Sequence, residues 1–474
     1  MTSTTMNGNG RPRTGDDVLG VVGVGFGPSN LGLAIAIEEH NEARGGGPAI
    51  TAEFIEAKPE FGWHTGMLIP GTTMQISFLK DLASQRNVRS RYTFLNYLTD
   101  RGRLNEFINH QTFFPTRLEF HDYLEWAAAR VDAKVYYGTR AVAVRDEGDC
   151  LAIDLEGAST GTLRARAVVL AGGLQPQLPG GVVETPRQFH NHELLDKLPK
   201  LPSITHRRFV VVGAGQSAAE VTDYLHTTYP DAEVHGVFAK YGYSPADDSP
   251  YANRVFDPAA VDDFYSAEPM VRQRLLDYHR ATNYSCVDLP LIEALYAREY
   301  AERVAGERRL FFHGASGVQS ATEDDGGVRV VIEHHPTKSV ETLDCDAVVY
   351  ATGFAPMSLP DILGDLCDPT VYAADGPEVE RDYRLRTARQ VAGAIYLQGG
   401  TEHTHGLSSS LISNIAVRCG EIIESIVGDA EFGSAAPAVV GGRTAREGWS
   451  VRDPPPRPNN TSAGNTVPSS RRTD

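Results

Sequence analysis

Three apolar runs, each closed by a glycine turn, set the pattern of this chain. The first reads VLGVVGVGFGPSNLGLAIAIEE from Val18, and after the turn its apolar positions change to helical spacing. The second, RFVVVGAGQSAAEVTDYLH from Arg208, repeats that pattern, and the third, DAVVYATGFAP from Asp346, reads as a buried strand and a glycine turn. Strands that alternate with helices imply parallel sheets. The pattern therefore predicts an α/β fold with two Rossmann-like dinucleotide-binding domains.

The rest of the chain is assigned from changes in composition and spacing. Residues 139–180 read as short strands, and residues 257–306 as helices joined by polar loops. The ends are predicted to be disordered, the tail because it is rich in Gly, Pro, Ser and Arg. The predicted parts are a lead-in at 1–16, a first dinucleotide-binding domain at 17–203 and 345–430, a second at 204–250 and 306–344, a smaller, mainly helical substrate-binding region at 251–305, and a tail at 431–474.

Composition and charge narrow the class of protein. The 474 residues suffice for two or three domains, and 22% charged residues are ordinary for a soluble globular protein. The net charge of −17 argues against nucleic acid or an anionic membrane as a partner. No apolar stretch approaches the roughly 18 residues of a membrane span. The first residues also lack the apolar segment of a secretion signal.

The cysteines indicate a reducing compartment. They lie far apart and form no CxxC pair. This spacing excludes a zinc knuckle or a redox disulfide between close neighbours. We therefore expect a cytoplasmic protein without a metal site. The five cysteines, read as ordinary core or surface residues, are Cys150, Cys286, Cys345, Cys367 and Cys419.

The first glycine loop, GVGFGPSN at 23–30, has the features of a dinucleotide-binding turn. Gly25 permits the tight turn after the strand, and Gly27 lets the backbone approach a pyrophosphate at the helix N-terminus. Asn30 stands where a third glycine would allow close helix packing. The next strand, ITAEFIE, ends in Glu56, at the right distance to bind a ribose diol. The whole unit favours a bound nucleotide over a glycine-rich turn without a ligand.

The second loop, GAGQSA at 213–218, lacks the acidic residue that would follow its second strand. That strand, EVHGVFAK, runs instead into Lys240. A cation without a ribose-binding carboxylate favours NADPH over NADH, although a solvated surface lysine is the alternative. Two dinucleotide sites on one chain suit a flavoprotein that passes a hydride from nicotinamide to flavin. FAD is then expected at the first loop and NADPH at the second.

Longer stretches carry a family resemblance. FIEAKPEFGWHTGMLIPGTTMQISFLKDLASQRNVRSRYTFLNYL resembles the flavin-dependent N-hydroxylating monooxygenases, and within them the L-ornithine N5-monooxygenases of hydroxamate siderophore biosynthesis. Further matches are FFPTRLEFHDYLEW, DDSPYANRVFDP, TNYSCVD, ATGF and THGLSSSLISNIAVR. The resemblance implies that NADPH reduces FAD and that O2 then forms a C4a-hydroperoxyflavin. This species hydroxylates the neutral side-chain amine of L-ornithine to N5-hydroxy-L-ornithine.

The resemblance also implies site residues. No residue is assigned as acid or base, although Asn283 is a candidate, and no metal is expected. On the FAD side it implies Gly25, Gly27, Pro28, Asn30, Glu56, Trp63, His64, Gln75, Gly406, Leu407 and Ser408. On the NADP(H) side it implies Gly213, Gly215, Gln216, Ser217, Lys240, Asn283, Tyr284 and Ser285. For the substrate it implies Lys80, Asn253, Asn283 and Ser409.

Physical chemistry is compatible with these substrate residues. Lys80 can pair with the carboxylate of an amino acid, and Asn253 and Asn283 offer amides that add no charge. The substrate amine, whose reference pKa is about 10.4, must lose a proton before it reacts. Each residue has an ordinary alternative role. For Lys80 it is that of a surface lysine on a helix, and for Asn253 and Asn283 it is that of a residue in a helix cap or a turn. For His64 it is that of an imidazole that packs against the flavin without moving a proton.

Other functions stay open. An L-lysine N6-monooxygenase or a putrescine N-monooxygenase would share the chemistry. Ornithine and lysine differ by one methylene, which a binding pocket discriminates by only about 1–3 kcal/mol. Lys80 favours an amino acid over a diamine. A pyridine nucleotide–disulfide reductase would need a close cysteine pair, and a non-catalytic flavin-binding redox module would yield no hydroxylated product. The resemblance also implies a homo-oligomer, such as a tetramer.

Overall fold

The computed structural model describes residues 18–45, 49–202, 204–367 and 376–432. The predicted disordered lead-in at 1–16 lies outside these residues. So does the predicted tail, except for its first two residues, which end the last helix.

The described residues form seventeen strands and twelve α-helices. The strands are β1 (Leu19–Val24), β2 (Ala52–Ile55), β3 (Lys134–Tyr136), β4 (Thr139–Asp146), β5 (Leu151–Gly157), β6 (Gly161–Leu170), β7 (Leu174–Pro176), β8 (Gln188–His190), β9 (Arg208–Val212), β10 (Glu233–Val237), β11 (Leu310–His313), β12 (Ser316–Glu323), β13 (Val328–His334), β14 (Val340–Cys345), β15 (Ala347–Tyr350), β16 (Phe354–Pro356) and β17 (Ala394–Leu397). The helices are α1 (Pro28–Ala43), α2 (Phe94–Asp100), α3 (Leu104–His110), α4 (Arg117–Ala128), α5 (Leu194–Lys197), α6 (Gln216–Thr228), α7 (Pro258–Ser266), α8 (Pro269–His279), α9 (Leu289–Ala305), α10 (Leu359–Leu363), α11 (Glu402–His405) and α12 (Ile415–Phe432).

Short 3-10 helices join these elements. They span Thr65–Met67, Asn191–Glu193, Leu198–Lys200, Ala252–Phe256, Arg280–Thr282, Gly364–Leu366, Leu407–Ser410 and Ile412–Asn414.

The first sheet has the order β3-β2-β1-β6-β5-β4, and β17 also pairs with β6. Its strands β3, β2, β1, β6 and β17 are parallel, as the alternation of strands and helices predicts, whereas β4 and β5 form antiparallel pairs. One face is covered by the apolar side of α1 and by aromatic side chains of α2 and α4, such as Phe94 and Phe120. This core fixes the direction in which the first glycine loop leaves β1.

The second sheet is fully parallel, with the order β11-β10-β9-β15-β8. Helix α6 covers one face through Ala218, Val221 and Leu225. The antiparallel sheet β12-β13-β14 covers the other face through Val330 and Ile332. The central strands β9 and β15 are thus buried on both sides, which explains why their sequences, RFVVV and AVVY, are mostly apolar. The predicted α/β fold with two Rossmann-like units and a helical region is confirmed.

The division of strands between the two sheets differs from the predicted domain bounds. Strands β8 and β15, which lie within the stretches predicted for the first domain, pair in the second sheet instead. Strand β15 runs parallel to β9, with Val348 opposite Val210. Strand β8 then adds to the far edge of β15. An apolar run predicts a buried strand, but it carries no information about which of two similar sheets receives that strand.

The helices α7, α8 and α9 form the predicted helical region. Few of their side chains are buried: among the described residues, α8 buries none and α9 buries Leu295. Helix α7 packs against α11. Within the described part of the chain, every helix is too short or too polar to cross a membrane.

Candidate active site

The first glycine loop leaves open space at one glycine and none at the other. Gly25 has a φ of 83°, and a Cβ built there would lie 2.3 Å from the carbonyl oxygen of Ala171. A Cβ at Gly27 would meet nothing within 4 Å. Gly25 is therefore required by the fold, whereas the empty space at Gly27 lies beside the N-terminus of α1. Pro28 begins that helix without the loss of a hydrogen bond.

The side chain of Asn30 stabilises this loop through hydrogen bonds to the backbone. It is fully buried, and its amide nitrogen lies 2.8 Å from the carbonyl oxygen of Gly25 and 3.3 Å from that of Val169. Its amide oxygen accepts a hydrogen bond from Gln398. The prediction that Asn30 contacts FAD is therefore corrected: no surface of this side chain is accessible. It ties the loop to the sheet.

Glu56 follows β2 and faces the same loop. Its Oε2 accepts a hydrogen bond of 2.8 Å from the backbone N–H of Phe26, and its Oε1 accepts one of 2.9 Å from that of Lys58. A carboxylate offers about four lone-pair sites. Half-buried Glu56 therefore braces the loop and keeps acceptor capacity for a ligand.

The second loop brings three predicted residues together. Gly213 has a φ of 144°, and its Cβ would lie 2.3 Å from the carbonyl oxygen of Ala351. At Gly215 the nearest atom to a Cβ is the Cα of Ser285, at 3.7 Å. The ammonium of Lys240 donates a hydrogen bond of 2.6 Å to the carbonyl oxygen of Ser285. Lys240 is thus held beside the loop, although it is exposed. Ser217 lies in the first turn of α6.

Trp63 and His64 lie next to each other near the end of the first sheet. Their rings are 5.0 Å apart, and the Trp63 ring is 6.0 Å from that of Phe120. Part of His64 is exposed, but the surrounding protein desolvates its imidazole and lowers its pKa to about 4, and the positive charges of Arg117 and Lys58 contribute to the shift. The imidazole is therefore neutral at neutral pH.

Three of the predicted substrate residues lie on or beside segments that pack against one another. Lys80 is half-buried, with its Nζ 5.7 Å from the ring centroid of Phe256, and among the described residues it forms no ion pair. Burial lowers the pKa of Lys80, while the charge of Asp257 opposes this shift. Phe256 belongs to the 3-10 helix Ala252–Phe256, which packs against Leu407–Ser410.

Asn253 and Ser409 come from these two short helices. Asn253 is exposed, and its amide nitrogen donates a hydrogen bond of 2.8 Å to the carbonyl oxygen of Asp248. Ser409 is 1% exposed, and its hydroxyl has no hydrogen-bond partner among the described residues. The neighbouring Leu407 and Ser408 are almost wholly buried. Their assignment to the FAD side stays a prediction.

Tyr284 connects the predicted NADP(H) segment to the Gly406 turn. Its hydroxyl donates a hydrogen bond of 2.5 Å to Oε2 of Glu402, the first residue of α11. Burial and this carboxylate both raise the pKa of Tyr284. Asn283, beside it, is half-buried. Helix α11 ends at Gly406, which has a φ of 78° and packs against Phe264.

Sequence reasoning missed a buried cation. The guanidinium of Arg418, on α12, is 1% exposed and has no carboxylate partner among the described residues. It donates hydrogen bonds to the carbonyl oxygen of Ser409 at 2.6 Å, to Oε1 of Gln398 at 3.2 Å and to the hydroxyl of Ser29 at 3.4 Å. Arg418 thus joins the first turn of α1 to Ser409. The apolar pattern of α12 gave no signal for an inward arginine.

Sequence reasoning also missed the polar residues that join the two sheets. Asp288 accepts hydrogen bonds from both Gln75 and Gln216. Arg117, at the start of α4, forms a two-bond ion pair with Glu220 of α6. Asp288 does lie in the quoted motif TNYSCVD, but the sequence does not show which side chains it faces.

Comparisons with known proteins show the family to which this chain belongs. A family profile described as L-lysine 6-monooxygenase/L-ornithine 5-monooxygenase matches residues 17–356. The L-ornithine N(5)-monooxygenase of Burkholderia cepacia is 38% identical over 405 residues, which cover 82% of this chain and 90% of that protein.

Solved structures are also similar. The ornithine N-hydroxylase of Kutzneria sp. 744, with reduced FAD, NADP+ and L-ornithine, is 43% identical with a TM-score of 0.83, covering 87% of this chain and 100% of that one. The L-lysine 6-monooxygenase of Pseudomonas syringae is 30% identical with a TM-score of 0.73, covering 86% and 99%. The resemblance read from the sequence is confirmed, and this chain belongs to the L-lysine 6-monooxygenase/L-ornithine 5-monooxygenase family.

Proposed function

We propose that this protein is an L-ornithine N5-monooxygenase that uses FAD, NADPH and O2. The reaction adds one oxygen atom of O2 to the side-chain nitrogen, reduces the other to water and oxidises NADPH to NADP+. The observation that carries the proposal is the half-buried ammonium of Lys80, which forms no ion pair among the described residues. Such a cation suits a substrate with a carboxylate.

The first loop fits the ADP part of FAD. The open space at Gly27 allows a pyrophosphate to approach the backbone, and the N-terminus of α1 favours a negative charge there. The guanidinium of Arg418, bonded to Ser29 without a carboxylate partner in the described chain, adds positive potential. Glu56 retains acceptors for a ribose diol. When bound, FAD supplies the oxygen chemistry that these side chains cannot perform themselves.

The second loop fits NADPH. Gly215 provides the close approach to the backbone, and Lys240 is held beside it by the Ser285 carbonyl. No acidic side chain follows β10 where a ribose-binding carboxylate would repel a 2′-phosphate. We therefore expect this chain to prefer NADPH to NADH.

The chain's own residues bind the substrate and keep its amine reactive. Lys80 receives the carboxylate, while Asn253, Asn283 and Ser409 offer neutral hydrogen-bonding groups. None of these four is acidic, so none of them forms an ion pair with the protonated amine. A half-buried site without a directly bound carboxylate lowers the pKa of an amine from its reference value of about 10.4.

A panel of amines tests the proposal. Purified protein with FAD and NADPH is given L-ornithine, L-lysine and putrescine, and hydroxylated amine is measured beside NADPH oxidation. Product from ornithine, coupled to NADPH oxidation, is expected. Product from lysine or putrescine instead would keep the chemistry and overturn the substrate. NADPH oxidation without product from any amine would favour the flavin-binding redox module.

The disulfide reductase alternative lacks its reactive pair. All five cysteines lie in the described residues and are buried, and none of them is disulfide-bonded. Burial raises the pKa of Cys419 to about 11 and that of Cys345 to about 12, with carboxylates near Cys345 contributing. Neither thiol is activated for exchange.

The setting of the reaction is part of the proposal. Reduced, buried cysteines favour the cytoplasm.

Helix α9 exposes the apolar or aromatic residues Tyr296, Tyr300 and Val304 at intervals of four, and such a stripe favours self-association. We expect a homo-oligomer, with a tetramer as the state to test by light scattering. The product would enter siderophore or related natural-product biosynthesis.

A further inference from the structure

A chain of five polar side chains joins the two nucleotide-binding sheets. We refer to Gln75, Arg117, Gln216, Glu220 and Asp288 as the inter-sheet network. Gln75 and Arg117 come from segments that pack with the first sheet, and Gln216 and Glu220 lie on α6 of the second. Asp288 immediately precedes α9. These positions are separated by up to 213 residues in sequence.

One end of the network is a buried ion pair. The guanidinium of Arg117 donates two hydrogen bonds of 2.7 Å, one to each carboxylate oxygen of Glu220, which is 4% exposed. Bidentate pairs of this kind fix orientation as well as distance. The amide of Gln216 donates a further hydrogen bond of 2.9 Å to Oε1 of Glu220.

The other end of the network converges on Asp288. Its Oδ1 accepts a hydrogen bond of 3.1 Å from Gln75, and its Oδ2 accepts one of 3.1 Å from Gln216. Its backbone N–H donates a hydrogen bond of 2.8 Å to Oε1 of Gln216. One carboxylate therefore holds a residue predicted on the FAD side and a residue predicted on the NADP(H) side.

The ordinary role of an aspartate at this position does not account for its side chain. Asp288 is the N-cap residue of α9, where a carboxylate commonly accepts a bond from the first turn of the helix. Here the side chain makes no such bond, and only the backbone carbonyl of Asp288 accepts from the first turn, from the N–H groups of Leu291 and Ile292. Both carboxylate oxygens are directed to the two glutamines.

We propose that Asp288 is a positioning residue that holds Gln75 and Gln216 in fixed register and thereby sets the approach of the nicotinamide to the flavin. This inference rests on the proposed function. Hydride transfer depends steeply on the distance and angle between donor and acceptor, and a displacement of about 1 Å can cost about 100-fold in rate. A shared carboxylate is a direct way to couple the two cofactor sites.

The test compares Asp288→Asn with the matched control Glu293→Gln, an exposed carboxylate on the same helix. Asparagine caps a helix as well as aspartate does, but it offers one acceptor oxygen and must turn an NH2 group toward one of the two glutamine amides. A capping role therefore predicts no effect, and the positioning role predicts the loss of one bond. Asp288→Glu keeps both acceptors and serves as the conservative variant.

Two readouts on the FAD-loaded protein are decisive. The first is the change in the flavin absorption spectrum on saturation with NADP+, which requires no turnover. The second is the anaerobic rate of flavin reduction at saturating NADPH. For Asp288→Asn we expect a diminished spectral change and a reduction rate lower by about 10- to 100-fold, with wild-type behaviour in the control and partial recovery in Asp288→Glu.

Other results would overturn the inference. Asp288→Asn that matches Glu293→Gln in both readouts would leave Asp288 without a positioning role. Asp288→Asn that loses FAD and thermal stability, with Asp288→Glu equally damaged, would make it a purely structural residue. The wild-type protein separates this inference from the proposed function, because flavin reduction without hydroxylated ornithine would refute the function alone.

Discussion

Removal of the Lys80 charge tests the substrate assignment most directly. Lys80→Met keeps the length and apolar stem of the side chain and removes the ammonium that lies 5.7 Å from the Phe256 ring. A hydrogen bond to a charged group contributes about 1.5–3 kcal/mol, and each 1.4 kcal/mol corresponds to about tenfold in affinity. We therefore expect KM for L-ornithine to rise by about 10- to 150-fold, while KM for NADPH stays unchanged.

Putrescine provides the internal comparison, because it lacks the carboxylate that Lys80 is proposed to bind. Its affinity, measured from turnover or from inhibition of ornithine turnover, should change less than about threefold. Lys338→Met, at an exposed lysine paired with Glu333, controls for the loss of a surface charge. Equal weakening of ornithine and putrescine in Lys80→Met would show that Lys80 supports the fold of the site and does not bind a carboxylate.

Three further predictions concern the loop, its support and the response to acid. Gly27→Ala should fold normally but retain little FAD after purification, whereas Gly25→Ala should unfold at lower temperature, since its Cβ would meet the Ala171 carbonyl. Asn30→Ala should lower the free energy of unfolding by about 1–3 kcal/mol, measured by denaturant titration, because it leaves buried partners unpaired. Burial holds the pKa of His405 at about 4, below the ordinary 6.5. Between these two pH values the imidazole is protonated in the unfolded state and neutral in the folded state. Stability should therefore fall as the pH decreases from 6.5 to 4, and His405→Gln should reduce this loss by about 2 kcal/mol.

The glycine loops could be predicted from sequence because their constraints are local. A strand, a residue with positive φ and a helix N-terminus follow each other within ten residues, and the structure has Gly25 and Gly213 in the required conformation. The position of Glu56 after β2 follows from the same spacing. The local sequence pattern also predicted that residues 257–306 would be helical.

The division of strands and the direction of side chains could not be predicted in this way. Strand β15 pairs with β9 across more than 130 residues, and its apolar residues would fit either sheet. Asn30 has the position of a ligand-binding residue in the loop, yet its amide nitrogen donates hydrogen bonds to carbonyl groups of the protein backbone. Burial against a distant partner decided both cases.

The segment from Asn283 to Asp288 shows why the site depends on long-range packing. Within six residues it provides a predicted substrate contact at Asn283, a hydrogen bond to α11 through Tyr284, the carbonyl of Ser285 that holds Lys240, and the carboxylate that joins the two glutamines. Each contact reaches a different part of the chain. A shift of this one segment would therefore alter the proposed substrate site, the proposed NADP(H) site and the link between the sheets at the same time. Because the contacts share one short backbone, we expect substitutions here to change reduction and hydroxylation together, whereas substitutions at Lys80 act on the substrate alone.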